Sequence, residues 1–125
     1  MTLSHWQARP NAPSGYCDYI GIEKYPPSAI ALQRALAPWP HLQQPLQRLL
    51  QHYPPKMSGI IRLNWPDNQI RLTLLIGDID WAMQNIVAKV DAWYFDGFSP
   101  AKNPRMWSTE VMQRAAALSY AKTTF

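Results

Sequence analysis

Apolar and polar positions recur with two different periods along this chain, and these periods distinguish predicted strands from predicted helices. The segment Tyr16–Lys24 alternates around Ile20 and Ile22, which predicts a strand that ends at Glu23. The single cysteine, Cys17, lies in this strand, where a thiol is most often a small core residue. The first structural element after residue 14 is therefore expected to be extended.

Two further alternating segments lie in the middle of the chain. They read GIIRLNW and QIRLTLLIG, and they flank Pro66, Asp67 and Asn68. Because these three residue types favour tight turns, the pattern predicts a β-hairpin. The second strand of the hairpin is expected to end at Gly77 and Asp78.

Four segments have apolar residues at helical spacing. The first is predicted from about Pro27 to Leu36, since proline is favoured in the first turn of a helix. A second helix is predicted from its apolar face, which comprises Leu42, Leu46, Leu49, Leu50 and Tyr53. Pro45 is compatible with that helix only near its first turn.

The third helix is predicted from about residue 79 to 89, with Met83, Ile86 and Val87 facing inward and Asp78 as a possible cap. The fourth is predicted from about residue 107 to 120, with Ser108 as its cap. Its apolar face comprises Val111, Met112, Ala115 and Leu118.

Between the last two helices, VDAWYFDGFSPAKNP begins with an almost uninterrupted apolar run from Val90 to Phe95. Such a run is typical of a parallel strand covered on both faces. AKTTF at positions 121–125 is predicted to open one more strand. Strands and helices in this order predict an α/β layered fold with a mainly parallel sheet.

Composition narrows the class of protein. Apolar residues make up 47% of the 125 residues and charged residues 16%, which argues against bulk disorder. The net charge of +4 suits an anionic partner such as RNA, and equally an ordinary basic protein. His5, His41 and His52 lack metal-ligand spacing, so no metal site is expected. No apolar run is long enough for a membrane span and no signal segment is visible, so we expect a cytoplasmic protein.

Three acids lie where predicted strands end: Glu23, Asp78 and Asp96. Ligands of open α/β sheets bind at the carboxyl ends of strands, where a carboxylate can accept hydrogen bonds from a ribose diol or an amine. Each acid also has a structural alternative. Asp78 can cap a helix, Glu23 can be a solvated acid beside Lys24, and Asp96 can bond to its own loop. Asp96 directly follows apolar residues and is expected to be partly desolvated.

The loop after Asp96 combines a permissive residue with stiff ones. Gly97 allows close approach of the backbone to a ligand, and Pro100 reduces the entropy that the loop loses on binding. Phe98 can stack on a flat ring. Met106 and Trp107 are expected to belong to the core.

The segments IGIEKYPPS, LLIGDI and VDAWYFDGFSPAKNPRMW closely resemble the methyltransferase half of the bacterial bifunctional enzymes for 5-methylaminomethyl-2-thiouridine in tRNA (MnmC type). The likeness extends from about Tyr19 to Phe125. It implies a class I, Rossmann-like fold that binds S-adenosylmethionine. It also implies methyl transfer to the amine of 5-aminomethyl-2-thiouridine at the wobble position of tRNA.

The resemblance also implies roles for particular residues. The expected cofactor-binding residues are Glu23, Lys24, Gly77, Asp78, Asp96 and Gly97. The expected catalytic residues are Asp96, Phe98 and Pro100. Asn103 is expected to support the loop, and Lys102 and Arg105 are candidates for phosphate contacts, although they can equally be solvated loop residues.

The chain departs from the family pattern before Glu23, where relatives have a Gly-rich turn of the G-x-G-T-G kind. Relatives also continue beyond the TTF sequence and carry an FAD-dependent half, for which no fingerprint exists here. We therefore expect residues 1–125 to be a partial methyltransferase domain, inactive by itself. The alternatives are a non-catalytic remnant with weak nucleic-acid or donor binding, and a generic nucleotide-binding module.

Overall fold

The computed structural model describes residues 15–55, 58–97 and 99–125. Five strands and four α-helices are mixed along these residues in the order β, α, α, β, β, α, β, α, β, which confirms the α/β class. The chain divides into two compact units, Met1–Ile76 and Gly77–Phe125, called the first unit and the second unit below.

The first unit contains a three-stranded sheet in the order β1-β3-β2. Its strands are β1 Cys17–Glu23, β2 Gly59–Trp65 and β3 Ile70–Ile76. β3 lies in the centre, where it pairs in parallel with β1 and antiparallel with β2. The predicted hairpin is confirmed, with a 3₁₀ turn over Pro66–Asn68 and Gln69 in the left-handed region at φ 54°.

Two helices of the first unit follow β1. Helix α1, Ala29–Leu36, begins after Ser28, whose side chain accepts a hydrogen bond from the Ala31 amide at 3.1 Å. A 3₁₀ turn at Pro40–Leu42 leads into α2, Gln43–Leu50, with Pro45 in its first turn as expected. Leu46 is the most buried residue of the predicted apolar face, and Tyr53 lies beyond the end of the helix.

The second unit contains two helices and a two-stranded parallel sheet. The helices are α3 Ile79–Asn85 and α4 Thr109–Ala117, and the strands are β4 Val90–Ala92 and β5 Ser119–Thr124. The predicted final strand is thus confirmed, and it begins two residues before AKTTF. The core of the unit comprises Ala82, Met83, Ile86, Val111, Ala115 and Leu118, all 5% exposed or less.

Helix α3 ends at Asn85, earlier than predicted, and Ile86 continues in extended backbone at φ −84° and ψ 122°. Val87 is therefore 96% exposed, and the expectation that it faces inward was wrong. The half-buried guanidinium of Arg114 donates to the carbonyl oxygens of Met83 and Ile86 at 3.0 and 3.1 Å. These bonds from α4 satisfy carbonyl groups that the end of α3 leaves without helical partners.

Candidate functional site

Glu23 lies at the carboxyl end of β1, opposite Ile76 at the end of β3. Its side chain is exposed, and Oε1 accepts a hydrogen bond from the Tyr25 amide at 2.9 Å. That bond uses one of the two carboxylate oxygens and fixes the side chain beside the strand end. The other oxygen can still accept a hydroxyl donor such as a ribose diol.

A shallow hollow forms between the start of α1 and the segment after α2. It is lined by Pro26, Pro27, Ser28, Ala29, Tyr53, Pro54 and Pro55. The Tyr53 hydroxyl donates to the carbonyl oxygen of Pro27, which ties the two segments together. Burial raises the pKa of Tyr53, and the negative charge of Glu23 raises it further. Sequence reasoning treated Tyr53 only as part of a helical face and missed this position.

In the second unit, Asp78 caps helix α3. Its Oδ1 accepts from the Trp81 amide at 2.9 Å, so the capping alternative for Asp78 is confirmed. The preceding residue must be small, because a Cβ atom at Gly77 would lie 2.8 Å from Cε3 of the Trp81 indole. Gly77 and the cap together define the backbone at the start of α3.

The apolar run before Asp96 does not form the long, doubly covered strand predicted from its composition. Strand β4 stops at Ala92, and pairing continues only through a 2.9 Å bond from the Trp93 amide to the Thr124 carbonyl. Ala92 and Tyr94 are exposed. The run is apolar because its alternate residues, Trp93 and Phe95, enter an aromatic cluster.

This aromatic cluster comprises Trp93, Phe95, Trp107 and Phe125. The Phe95 ring lies 5.7, 6.0 and 6.3 Å from the other three ring centroids in that order. The Trp93 indole also donates to Ser119 Oγ at 2.9 Å. Trp107 and Met106 are half-buried, so they border the core rather than fill it.

Asp96 is exposed, which overturns the expectation that it is partly desolvated. The two residues before it show why, because Phe95 turns into the cluster while Tyr94 is 65% exposed on the other side. Chain alternation then directs Asp96 toward solvent. Phe98, an expected catalytic residue, lies outside the described residues.

The loop after Asp96 is held at several points. A Cβ atom at Gly97 would lie 2.0 Å from the Met106 sulfur, so these two ends of the loop are in close contact. The Ser99 carbonyl accepts from the Lys102 and Asn103 amides at 2.8 and 2.9 Å. Pro100 and Lys102 are exposed and Asn103 is half-buried, consistent with Asn103 supporting the loop.

Arg105 forms a two-point ion pair with Asp80 of helix α3. Its Nε and Nη2 donate to the carboxylate at 2.6 and 2.7 Å, and Nη1 lies 3.9 Å from Glu110. This geometry fixes the orientation of both side chains. The pair joins the end of the loop to the helix that Asp78 caps, and Asp80 is a residue that sequence reasoning missed.

The hydrogen bond from Arg105 lowers the pKa of Asp80. A lowered carboxyl pKa means that the ion pair stabilises the fold above the usual carboxyl range, and that this contribution is lost as the pH falls through the lowered value. We expect Arg105→Gln to raise the Asp80 pKa toward its ordinary value. Carboxyl-carbon NMR titration measures the shift, with Lys122→Gln as the control, and an unchanged Asp80 pKa in Arg105→Gln would contradict this.

The described residues contain no group of three or more potential metal-ligating side chains. No helix among them is long and apolar enough to cross a membrane.

Residues 40–125 match a family of S-adenosyl-L-methionine-dependent methyltransferases. The chain belongs to this methyltransferase family. The match begins just before α2 and therefore includes Gly77, Asp78 and the whole loop after Asp96, while Glu23 lies ahead of it.

Three bacterial relatives of this methyltransferase chain are named tRNA 5-methylaminomethyl-2-thiouridine biosynthesis bifunctional protein MnmC. The relative from Pseudomonas savastanoi pv. phaseolicola is 43% identical over 106 residues, which are 85% of this chain and 16% of that protein. The relative from Acinetobacter baylyi is 40% identical over 121 residues, 95% of this chain and 19% of that protein. The relative from Pseudomonas paraeruginosa is 39% identical over 124 residues, 98% of this chain and 19% of that protein.

The chain thus spans between 16% and 19% of the length of these relatives. The match to the Pseudomonas paraeruginosa relative covers almost the whole chain, so it extends to the segment before residue 40 that contains Glu23. Membership of the family identifies S-adenosylmethionine as the relevant cofactor class.

Proposed function

We propose that this protein takes part in tRNA modification, by methylating the primary amine of 5-aminomethyl-2-thiouridine at the wobble position. The names of the relatives support a role in the biosynthesis of 5-methylaminomethyl-2-thiouridine in tRNA. The description of the family supports S-adenosylmethionine as the methyl donor. The observation that carries the proposal is the exposed Asp96 carboxylate in a loop that Arg105 fastens to α3. In the longer relatives, we propose that an FAD-dependent half provides the second activity of the bifunctional name.

In this proposal two carboxylates are assigned to the nucleoside portion of the donor. Glu23 and Asp78 are both exposed, and each uses one oxygen in a bond to a backbone amide. In this proposal the remaining Glu23 oxygen accepts from ribose hydroxyls and that of Asp78 accepts from the adenine amine. Lys24, Gly77 and Gly97 complete the proposed donor-binding set, Lys24 through its charge and the two glycines through their backbone N–H and C=O groups.

S-adenosylmethionine supplies an electrophilic methyl group on sulfur. The nitrogen of the substrate amine forms the new bond to carbon while the carbon–sulfur bond breaks, and the amine must lose a proton in the overall reaction. Asp96 accepts a hydrogen bond from the amine and directs its lone pair, so that catalysis rests on orientation. Proton acceptance by Asp96 is a second role in the same position.

The remaining residues of the loop have supporting roles in this proposal. Phe98 and Pro100 form the wall of the catalytic site, and Asn103 holds the loop through its backbone bond to Ser99. Lys102 is exposed and meets a substrate phosphate. Arg105 was predicted for the same task, but its ion pair with Asp80 leaves it better suited to anchoring the loop.

Donor binding tests the proposal directly by calorimetric titration of the chain with S-adenosylmethionine. We expect micromolar affinity and roughly ten- to hundredfold weaker binding by Glu23→Gln, since a hydrogen bond to a charged group contributes about 1.5–3 kcal/mol. Asp67→Asn is the matched control, because it removes one carboxylate at the other end of the same sheet.

Absence of donor binding by the unaltered chain would refute the proposal. Donor binding without methyl transfer to tRNA would restrict this chain to a binding role.

A further inference from the structure

The hairpin turn and the last turn of α2 form a polar hollow in the first unit. Arg48 of α2 donates through Nη1 to Asn68 Oδ1 at 2.6 Å, which joins the helix to the turn. Asn64 also lines the hollow, and the exposed Arg62 lies two residues earlier on the same face of β2. The hairpin surface is defined as Arg48, His52, Arg62, Asn64, Trp65 and Asn68.

The charge of the protein is distributed unevenly between the two units. Residues 1–76 contain seven Lys and Arg against three Asp and Glu, whereas residues 77–125 contain five of each. The whole net charge of +4 therefore belongs to the first unit. This is the unit that contains the hairpin surface.

Most cations of the second unit are already engaged within the protein. Arg105 pairs with Asp80, Arg114 donates to two backbone carbonyl groups, and Lys89 donates to the carbonyl of Ala117 at 3.0 Å. In the first unit, Arg71 is similarly neutralised by Asp18 at 2.6 Å.

The two arginines of the hairpin surface differ from these. Arg48 bonds to the neutral amide of Asn68, and among residues 15–55, 58–97 and 99–125 neither Arg48 nor Arg62 forms an ion pair. Both are exposed, so their charges are available to an external anion.

We propose that the hairpin surface binds the phosphodiester backbone of the RNA substrate, an inference that rests on the proposed function in tRNA modification. Arg48 and Arg62 supply charge, and the amide groups of Asn64 and Asn68 supply hydrogen-bond donors for phosphate oxygens or 2′-hydroxyls. Contacts of this kind hold an RNA in position without reading its sequence.

The location of the surface determines which part of the RNA it meets. Strand β3 runs in parallel with β1, from Ile70 beside the hairpin turn to Ile76 opposite Glu23. At about 3.3 Å per residue, the turn lies roughly 20 Å from Glu23 along the sheet. The hairpin surface is therefore a docking site remote from the methyl-donor residues of the first unit, and it contacts nucleotides other than the one modified.

The test measures binding of a wobble-uridine tRNA transcript to the chain at several salt concentrations. Arg48→Gln/Arg62→Gln is compared with Arg34→Gln/Lys122→Gln, which removes the same charge from exposed positions outside the surface. The logarithm of the association constant falls as the logarithm of the salt concentration rises. If the arginine double variant loses two phosphate contacts, this fall becomes less steep by about 1.4–1.8. We assume that the two proteins bind equally well when the data are extrapolated to 1 M salt. A slope that is less steep by ~1.6 then means that the arginine double variant binds roughly 40-fold more weakly at 0.1 M salt.

A second variant tests the surface in the opposite direction. Asp67 is the acid in the hairpin turn and lines the same hollow, so its carboxylate opposes an approaching phosphate. Asp67→Asn is expected to tighten tRNA binding by several-fold, while leaving affinity for S-adenosylmethionine unchanged. Circular dichroism and thermal unfolding verify that every variant remains folded.

Equal losses in the two double variants, or no tRNA binding by the unaltered chain, would overturn the proposed surface. Competition by polyglutamate as effective as that by tRNA would also overturn it, because the surface would then accept any polyanion. Titration with S-adenosylmethionine separates the two proposals, since donor binding without RNA binding refutes the hairpin surface and leaves the methyl-donor site intact.

Discussion

In an intact relative that contains the whole methyltransferase domain, replacing the aspartate equivalent to Asp96 with alanine is expected to slow methyl transfer by about 10²–10⁴-fold, the range associated with a positioned acid–base group. Asp96 is exposed at the start of the anchored loop, where an incoming amine can reach it. Removing the carboxylate removes the acceptor that directs the amine lone pair. The affinity for S-adenosylmethionine should remain within about twofold, because we assign the nucleoside contacts to Glu23 and Asp78.

Transfer of a labelled methyl group to tRNA bearing 5-aminomethyl-2-thiouridine measures the rate, and calorimetry measures donor affinity. Asp91→Ala is the matched control, since Asp91 is also exposed and lies five residues earlier. Asp96→Asn separates the two roles, because an amide oxygen can still orient an amine but is a poor proton acceptor. Full activity in Asp96→Ala, or a loss of donor binding alone, would contradict the assignment.

Leu75→Ala is expected to have the largest effect on stability, about 2–5 kcal/mol of unfolding free energy. Leu75 is 2% exposed in the central strand β3, between Ile22 of β1 and Ile60 of β2. Truncation leaves a cavity among neighbours that are fixed by pairing on both sides. Small domains have a total stability of only about 5–15 kcal/mol, so the first unit would be close to unfolding.

Urea denaturation followed by circular dichroism measures this loss. Ile30→Ala in α1 is the control, because Ile30 is 60% exposed and its truncation should cost well under half as much. A comparable loss in both variants would show that burial in β3 does not dominate the stability of the first unit.

The local signals in the sequence were sufficient for most elements of the fold. Ser108 caps α4 through a bond to the amide three residues later, as its residue type predicted. The first helix was predicted in the right place, but it begins at Ala29 after a cap at Ser28 rather than at about Pro27. The hairpin turn likewise follows from Pro66, Asp67 and Asn68. These features depend on neighbours within a few positions, which the sequence displays.

Features that depend on distant residues could not be predicted in this way. Helix α3 ends where Arg114, some 30 positions away, donates to its last carbonyl groups. The run after Val90 resembles a buried strand because Trp93 and Phe95 are apolar, yet they pack against Trp107 and Phe125 instead. Periodicity cannot distinguish these two uses of aromatic residues.

The candidate site was predicted in part. The strand-end positions of Glu23 and Asp78 followed from the pattern, as did the cap made by Asp78. Pairing of Arg105 with Asp80 was not predicted, because the two residues are 25 positions apart and each alone resembles a solvated charge. Asp96 was expected to be partly desolvated because it follows an apolar run that resembles a buried strand. This was wrong, because Trp93 and Phe95 of that run pack in the aromatic cluster while Asp96 is exposed.

The central claim is that the strand-end residues Glu23 and Asp78 bind a methyl donor. An NMR titration of the ¹⁵N-labelled chain with S-adenosylmethionine tests this claim. We predict saturable shifts of the amide resonances of Glu23, Gly77, Asp78 and Gly97, with little change at the hairpin turn. A spectrum that does not change with added donor, or changes confined to residues of the hairpin surface, would contradict it.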